Sequence, residues 1–198
     1  MEYLAEVLAE KKVASGNIGL EDEICTISTF RKLEKALPKA RFHHASDVFN
    51  ITRSIKEPEE VELIRKAVKI AESAMRVAMD MAKPGVPEMD VQREIEIEMR
   101  RQGAVREVET MCQSGIRTAN YRAFAAEWKK IGENELVMVD LGAIYKGYSS
   151  DITRTWPVGE ATDEQKKIAS DLYKVHAMMM DFIKPGVIHR DVAQFAID

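Results

Sequence analysis

Two aspartates, Asp140 and Asp151, lie eleven positions apart on either side of a Lys146-Gly147 turn, and their placement suits a pair of divalent cations. Leu136-Val137-Met138-Val139-Asp140-Leu141-Gly142-Ala143-Ile144-Tyr145 is an apolar strand with one charge at its centre, and Tyr148-Ser149-Ser150-Asp151-Ile152-Thr153-Arg154-Thr155-Trp156 returns after the turn. With Lys146 and Gly147 at a two-residue tip, Asp140 faces Thr153 and Gly142 faces Asp151, all four on one side of the ladder. Diagonal neighbours in such a ribbon stand roughly 7–8 Å apart at the backbone, close enough for inward-leaning carboxylates to flank cations about 3.5–4 Å apart. Gly142 leaves space for the ions, and the Thr153 hydroxyl can orient the Asp140 carboxylate. An ionised aspartate in an apolar strand is costly unless it is paired or metal-bound. The competing reading gives Asp140 to Arg154 or to a neighbouring turn, but Arg154 has the opposite parity and points to the other face.

Other residues with chemical potential read more simply. His43 and His44 are adjacent on a short strand, so they point to opposite faces and are read as core or surface histidines, not as ligands. Met75, Met79 and Met81 fall within a helical periodicity and are read as packing residues. Cys25 and Cys112 are far apart, with no CxxC, and suit buried thiols in a reducing compartment. The chain of 198 residues carries 29 basic and 33 acidic side chains, a net charge of -4 that offers no excess positive charge to phosphates or anionic lipid. No nucleic-acid partner is expected, and no apolar run is long enough to span a bilayer. The acids within Met1-Glu2-Tyr3-Leu4-Ala5-Glu6 argue against a secretory signal, so a cytoplasmic location is expected.

The elements that must position the aspartates fall into two parts. Residues 1–53 alternate between helix and strand: helix at 3–10, strand at 17–20, helix at 27–37 stopped by Pro38, and strand at 41–44. Two strands alone are marginal, so 1–53 is expected to be the C-terminal part of an α/β domain. After Pro58, Val61, Ile64, Val68, Ala71, Met75, Ala78 and Ala82 lay one apolar stripe along a long helix that ends at Lys83-Pro84-Gly85. A second helix at 88–102 is closed by Gly103, and strands are expected at 105–112 and 136–156. The helix, Lys-Pro-Gly, helix pattern returns 101 residues later, with eight of fourteen positions identical between 79–92 and 180–193. Ile168, Leu172, Val175, Met179 and Phe182 give the matching apolar stripe. Copies of equal length would run to about position 258, so the fold is expected to be incomplete at both ends of this chain, exposing Val175, Met179 and Phe182. A homodimer burying that surface is expected.

Val139-Asp140-Leu141-Gly142 with Gly147-Tyr148-Ser149-Ser150-Asp151-Ile152-Thr153-Arg154-Thr155 resembles the first metal-ligand hairpin of the pita-bread metallopeptidases: methionine aminopeptidase, aminopeptidase P and prolidase, with creatinase as a non-peptidase relative. Ile55-Lys56-Glu57-Pro58-Glu59-Glu60, Lys83-Pro84-Gly85, Ser114-Gly115 and the duplication extend the resemblance over 54–198. It implies an α/β (α+β) pita-bread fold with a pseudo-two-fold duplication, 1–53 belonging to a creatinase-type N-terminal domain and 54–198 to the catalytic domain. Asp140 and Asp151 would be metal ligands, Asp151 bridging, with the remaining His and Glu ligands beyond Asp198 and no catalytic residue assigned. The implied activity is hydrolysis of a Xaa-Pro amide bond by a metal-bound hydroxide. Two divalent ions would serve it, Mn first and Co or Zn as alternatives, the shortened chain itself being inactive. Where the family places a substrate-contacting His after Ser-Gly, this sequence has Asn120-Tyr121-Arg122, and no His occurs between His44 and His176. Tyr121 and Arg122 are therefore the candidate substrate contacts, and a creatinase-like small-amide hydrolase or a metal-free binding module stay open as alternatives.

Overall fold

The computed structural model describes residues 2–107, 110–120 and 124–197. The chain divides into two compact units, Met1–Val61 and Glu62–Asp198. The first contains α1 (Glu2–Glu10), β1 (Gly16–Leu20), α2 (Ile27–Ala36), β2 (Ala40–His44) and α3 (Ser46–Ser54). β1 and β2 pair in parallel, from Gly16↔Ala40 to Leu20↔His44. Thr26 caps α2 by accepting the Thr29 amide at 3.1 Å, and Leu33 and Leu37 are buried beneath it. Sequence periodicity gives no sign of α3, whose Val48, Ile51 and Thr52 are β-branched and poor helix formers. Cys25 is half-buried, not buried as expected.

α4 (Pro58–Met81) starts with proline at its first position while the Glu60 carboxylate accepts the Glu57 amide at 2.7 Å. Its buried face is Ala67, Ile70, Ala71, Ala74, Met75 and Ala78. Val61, Ile64 and Val68, expected on the stripe, are only half-buried, and Met79 is 44% exposed, so it is not a packing residue. α5 (Glu88–Arg101) ends in a Schellman turn: Gly103 has φ 94°, its amide bonds the Arg100 carbonyl, and the Ala104 amide bonds that of Met99, both at 3.0 Å.

The single strand expected at 105–112 is instead two, β3 (Arg106–Glu107) and β4 (Met111–Ser114), which join different sheets. β5 (Leu136–Leu141), β6 (Ala143–Tyr145), β7 (Tyr148–Ser149) and β8 (Ile152–Pro157) form the hairpin. The sheets run β3-β6-β7 and β4-β5-β8. Lys146 at φ 49° and Gly147 at φ 89° make the left-handed tip. The ribbon keeps one register on both sides of a break at 142 and 150–151: Asp140↔Thr153 and Leu141↔Ile152 below it, Ile144↔Ser149 and Tyr145↔Tyr148 above. Val137, Val139 and Leu141 bury one face of β5 in a core shared with Ile70, Ile95 and Met99.

α6 (Asp163–Phe182) and α7 (His189–Ile197) repeat the helix pair. Thr162 opens α6 with a capping box to Gln165. The two Lys-Pro-Gly turns match in their internal bonds at the 101-residue spacing. Gly85 and Gly186 have φ 87° and 93°. Val86 N donates to Lys83 O and Val187 N to Lys184 O, each at 3.1 Å, and Ala82 N to Ala78 O and Ile183 N to Met179 O close the preceding helices at 2.9 and 3.0 Å. No described residue of α6 or α7 is buried. Of the three residues expected to be exposed, Val175 is, at 38%, whereas Met179 and Phe182 are half-buried, Phe182 stacking on Phe195 with ring centroids 4.5 Å apart.

Candidate metal centre

β5 delivers Asp140 from a strand whose alternate residues are buried, so the carboxylate emerges on the face opposite the core. Thr153, its cross-strand partner, donates its hydroxyl to Asp140 Oδ1 at 2.7 Å. Asp151 lies in the break between β7 and β8, where the unchanged register on both sides sets it across from the buried Gly142. Desolvation leads the causes that hold the carboxyl of the exposed Asp151 above its ordinary value, and the like charge of Asp140 and a hydrogen bond with that carboxyl group add to it. The two acids therefore converge to hydrogen-bonding reach.

Arg154 pairs across the ladder with Val139 and donates to the Thr153 carbonyl at 2.7 Å, so the competing reading in which it neutralises Asp140 is not what the fold builds. Among the described residues no cation pairs with either aspartate. Converging like charges, one braced by a hydroxyl, with no protein cation between them and a glycine opposite, fit a divalent ion, and Asp140 and Asp151 would be the residues that hold it. Among the described residues no group of three or more His, Cys, Asp or Glu side chains forms a metal cluster.

The other candidates are dispersed. His43 Nε2 meets Asn17 Oδ1 at 2.9 Å, while His44 sits between Asp22 at 2.6 Å and Asp47 at 3.4 Å. Hydrogen bonds to Asp22 and then Asp47 raise the His44 pKa, and the Ser46 hydroxyl at 2.9 Å leads the causes that lower that of Asp22. Cys112 is buried, and desolvation, followed by the nearby Glu88 charge, pushes its thiol up to about 12. Tyr121 and Arg122 lie outside the described residues.

Sequence reasoning missed Glu88, a fully buried carboxylate that organises the segment leading to those two positions. Its Oε1 accepts the Ser114 amide at 2.7 Å and the Ser114 hydroxyl at 2.9 Å, and its Oε2 accepts Arg117 Nε at 3.1 Å and the Ala126 amide at 3.2 Å. Arg117 also donates to the Phe124 carbonyl and lies 5.3 Å from the Trp128 ring centre. In the sequence Glu88 reads as one more acid in the first turn of a helix; a partner 29 residues on leaves no local signal.

The chain is similar to known proteins over most of its length. The profile of metallopeptidase family M24 matches residues 62–198. An uncharacterised peptidase of Bacillus subtilis, YqhT, is 34% identical over 175 residues, which is 88% of this chain and 49% of that protein. A Xaa-Pro dipeptidase of Pyrococcus horikoshii is 31% identical over 181 residues, 91% of this chain and 51% of the relative. Among solved structures, a Xaa-Pro dipeptidase from Bacillus anthracis superposes with a TM-score of 0.88 at 32% identity, covering 98% of this chain and 54% of that one. The X-Pro aminopeptidase of Thermotoga maritima gives 0.87 at 28% identity, covering 98% and 55%. The chain thus spans about half the length of the curated relatives it matches. With the hairpin, the repeated helix pair and the profile in agreement over 62–198, the chain belongs to metallopeptidase family M24 and carries part of its pita-bread fold.

Proposed function

We propose that this chain contributes to a metal-dependent hydrolase that cleaves Xaa-Pro peptides. The observation that carries the reading is the convergence of Asp140 and Asp151 beside Gly142 with no intervening cation among the described residues; the family and the Xaa-Pro dipeptidase relatives support it. Oxygen donors suit hard divalent ions, Mn²⁺ first and Co²⁺ or Zn²⁺ next. Such a pair, when bound, supplies an activated water and polarises the amide carbonyl. The chain's own residues hold and orient: Thr153 fixes one Asp140 oxygen, and Asp151, across the ribbon from Gly142, faces Asp140. Tyr121 and Arg122 are proposed substrate contacts, an arginine there favouring an anionic or amide-bearing group, which keeps a creatinase-like small-amide hydrolase as the second reading. We place the protein in the cytoplasm on its two free thiols, as a homodimer, and expect neither nucleic-acid nor membrane partners; no described helix is long and apolar enough to cross a membrane.

The test is Mn²⁺ binding by calorimetry together with hydrolysis of Xaa-Pro dipeptides and creatine-like amides. It uses the 198-residue chain and a form lengthened to the size of its relatives. The lengthened form should hold close to two Mn²⁺ and lose them with Asp151→Asn, while the shorter form binds weakly and turns over little. A lengthened form that holds no metal would replace the enzyme reading with a binding module.

A further inference from the structure

Ser150 interrupts the hairpin in a way the ladder does not require. With Tyr145 and Tyr148 as the closing pair, Ala143 and Ser150 fall on a position where antiparallel partners exchange both backbone bonds. Half of that exchange is present, the Ser150 amide donating to the Ala143 carbonyl at 3.0 Å. The other half is replaced: Ala143 N donates to Ser150 Oγ at 3.1 Å, not to the Ser150 carbonyl. The hydroxyl passes its own hydrogen to the carbonyl of Ala67 at 3.1 Å, in the interior of α4, with the Ala143 carbonyl farther away at 3.4 Å. Ser150 and Ala67 are both buried, so these bonds form away from water. The sheet is cut into its two three-stranded parts at this point, and the next residue is Asp151.

We propose that Ser150 is a positioning residue for Asp151. By placing its hydroxyl where its own carbonyl belongs, it turns the peptide between Ser150 and Asp151 out of the ladder, pins it to α4 and brings the Asp151 carboxylate onto Asp140. The functional meaning rests on reading the two aspartates as metal ligands; the placement itself does not. The register is unchanged across the break, so no residue is inserted; what changes is the direction of the Ser150 carbonyl, and with it the peptide that carries Asp151. The hydrogen-bond relay from Ala143 through Ser150 to Ala67 also explains why a polar residue occupies a buried position in the hairpin.

Two measurements test the placement separately from the metal. In EDTA, urea unfolding midpoints of wild type, Asp140→Asn, Asp151→Asn and the double variant form a thermodynamic cycle, and the same four proteins are then made with Ser150→Ala added. The expected result is a non-additive cycle while Ser150 is present, because either aspartate substitution relieves the same repulsion, and an additive cycle once Ser150→Ala is added; equal non-additivity in both overturns the proposal. In Mn²⁺, with the lengthened form, Ser150→Ala should weaken binding at least tenfold and Ser150→Thr, which restores a hydroxyl, should recover it; unchanged binding in Ser150→Ala overturns the proposal. A lengthened wild type that binds no Mn²⁺ refutes the metal reading and leaves the cycle to judge Ser150. Where Ser150→Ala does not fold, Ser150→Cys, of similar shape but a poor acceptor, takes its place in both measurements.

Discussion

Glu88→Gln should destabilise the second unit far more than its conservative chemistry suggests. The glutamate is fully buried, and each of its oxygens takes two hydrogen bonds: Oε1 from Ser114, Oε2 from Arg117 and Ala126. Glutamine can keep its oxygen on the Ser114 side, but its amide nitrogen then faces the donors of Arg117 and Ala126. Two bonds are lost and a largely buried guanidinium is left without its counter-charge. Breaking a buried ion pair on one side costs about 3–5 kcal/mol. At roughly 3–5 °C per kcal/mol for a domain of this size, the melting temperature should fall by about 10–25 °C. The assay is thermal and urea unfolding followed by tryptophan fluorescence, since both tryptophans, Trp128 and Trp156, lie in this unit and Trp128 sits against Arg117. Arg117→Gln, alone and combined with Glu88→Gln, completes a cycle that should show strong coupling. A loss below about 1 kcal/mol, or additive effects of the two substitutions, would refute the buried-clamp argument.

The His44 and Asp22 pair should give the first unit a pH-dependent stability. Because His44 is raised above its usual 6.5, its contribution is complete below that value and fades as pH rises through the folded pKa. Asp22, lowered from 3.8, contributes above that value and is lost in acid. Asp22→Asn should shift the His44 imidazole titration downward by NMR and flatten the alkaline fall in unfolding midpoint; an unmoved titration contradicts the pairing. Thiol labelling under mildly alkaline conditions should find Cys25 alone reactive in the native protein and both cysteines in urea, since the Cys112 thiol is held at about 12. Gly147→Ala should cost about 1 kcal/mol from backbone strain alone, because φ is 89° and no atom lies within 4 Å of the added carbon; urea midpoints would reveal it.

The hairpin register was legible because two features fix it without tertiary information: a tip of two residues and strict side-chain alternation. Asp140 opposite Thr153, and Arg154 on the other face, follow from those alone. The long helix was equally readable from its stripe, although burial turns the helix so that Ala67, Ile70 and Ala74, small or outside the stripe, take the inner face. What stayed hidden depends on distant partners. Glu88 is an ordinary helix acid until Ser114 and Arg117 fold back on it. Ser150 looks like any strand serine until Ala67, 83 residues away, receives its hydrogen. The undivided strand expected at 105–112 failed because period-two alternation does not say which sheet a strand joins. Tyr121 and Arg122 lie outside the described residues, so their assignment still rests on sequence.

The paired Lys-Pro-Gly turns show where the information for a joint resides. At the first, the Gly85 amide and the Val86 carbonyl are bridged to Ile131 at 2.8 and 2.9 Å; among the described residues the second turn has no such backbone bridge at Gly186 and Val187. The two nevertheless share their dihedral angles and internal bonds. The bend is therefore a portable elbow, its shape written in its own residues. The helix faces answer to whatever packs on them and are free to drift, whereas the elbow answers only to backbone geometry. That division accounts for the unbroken identity of Lys83-Pro84-Gly85-Val86 with Lys184-Pro185-Gly186-Val187 beside flanking positions that have diverged. Transplanting either tetrapeptide between two unrelated helices should reproduce the same angle.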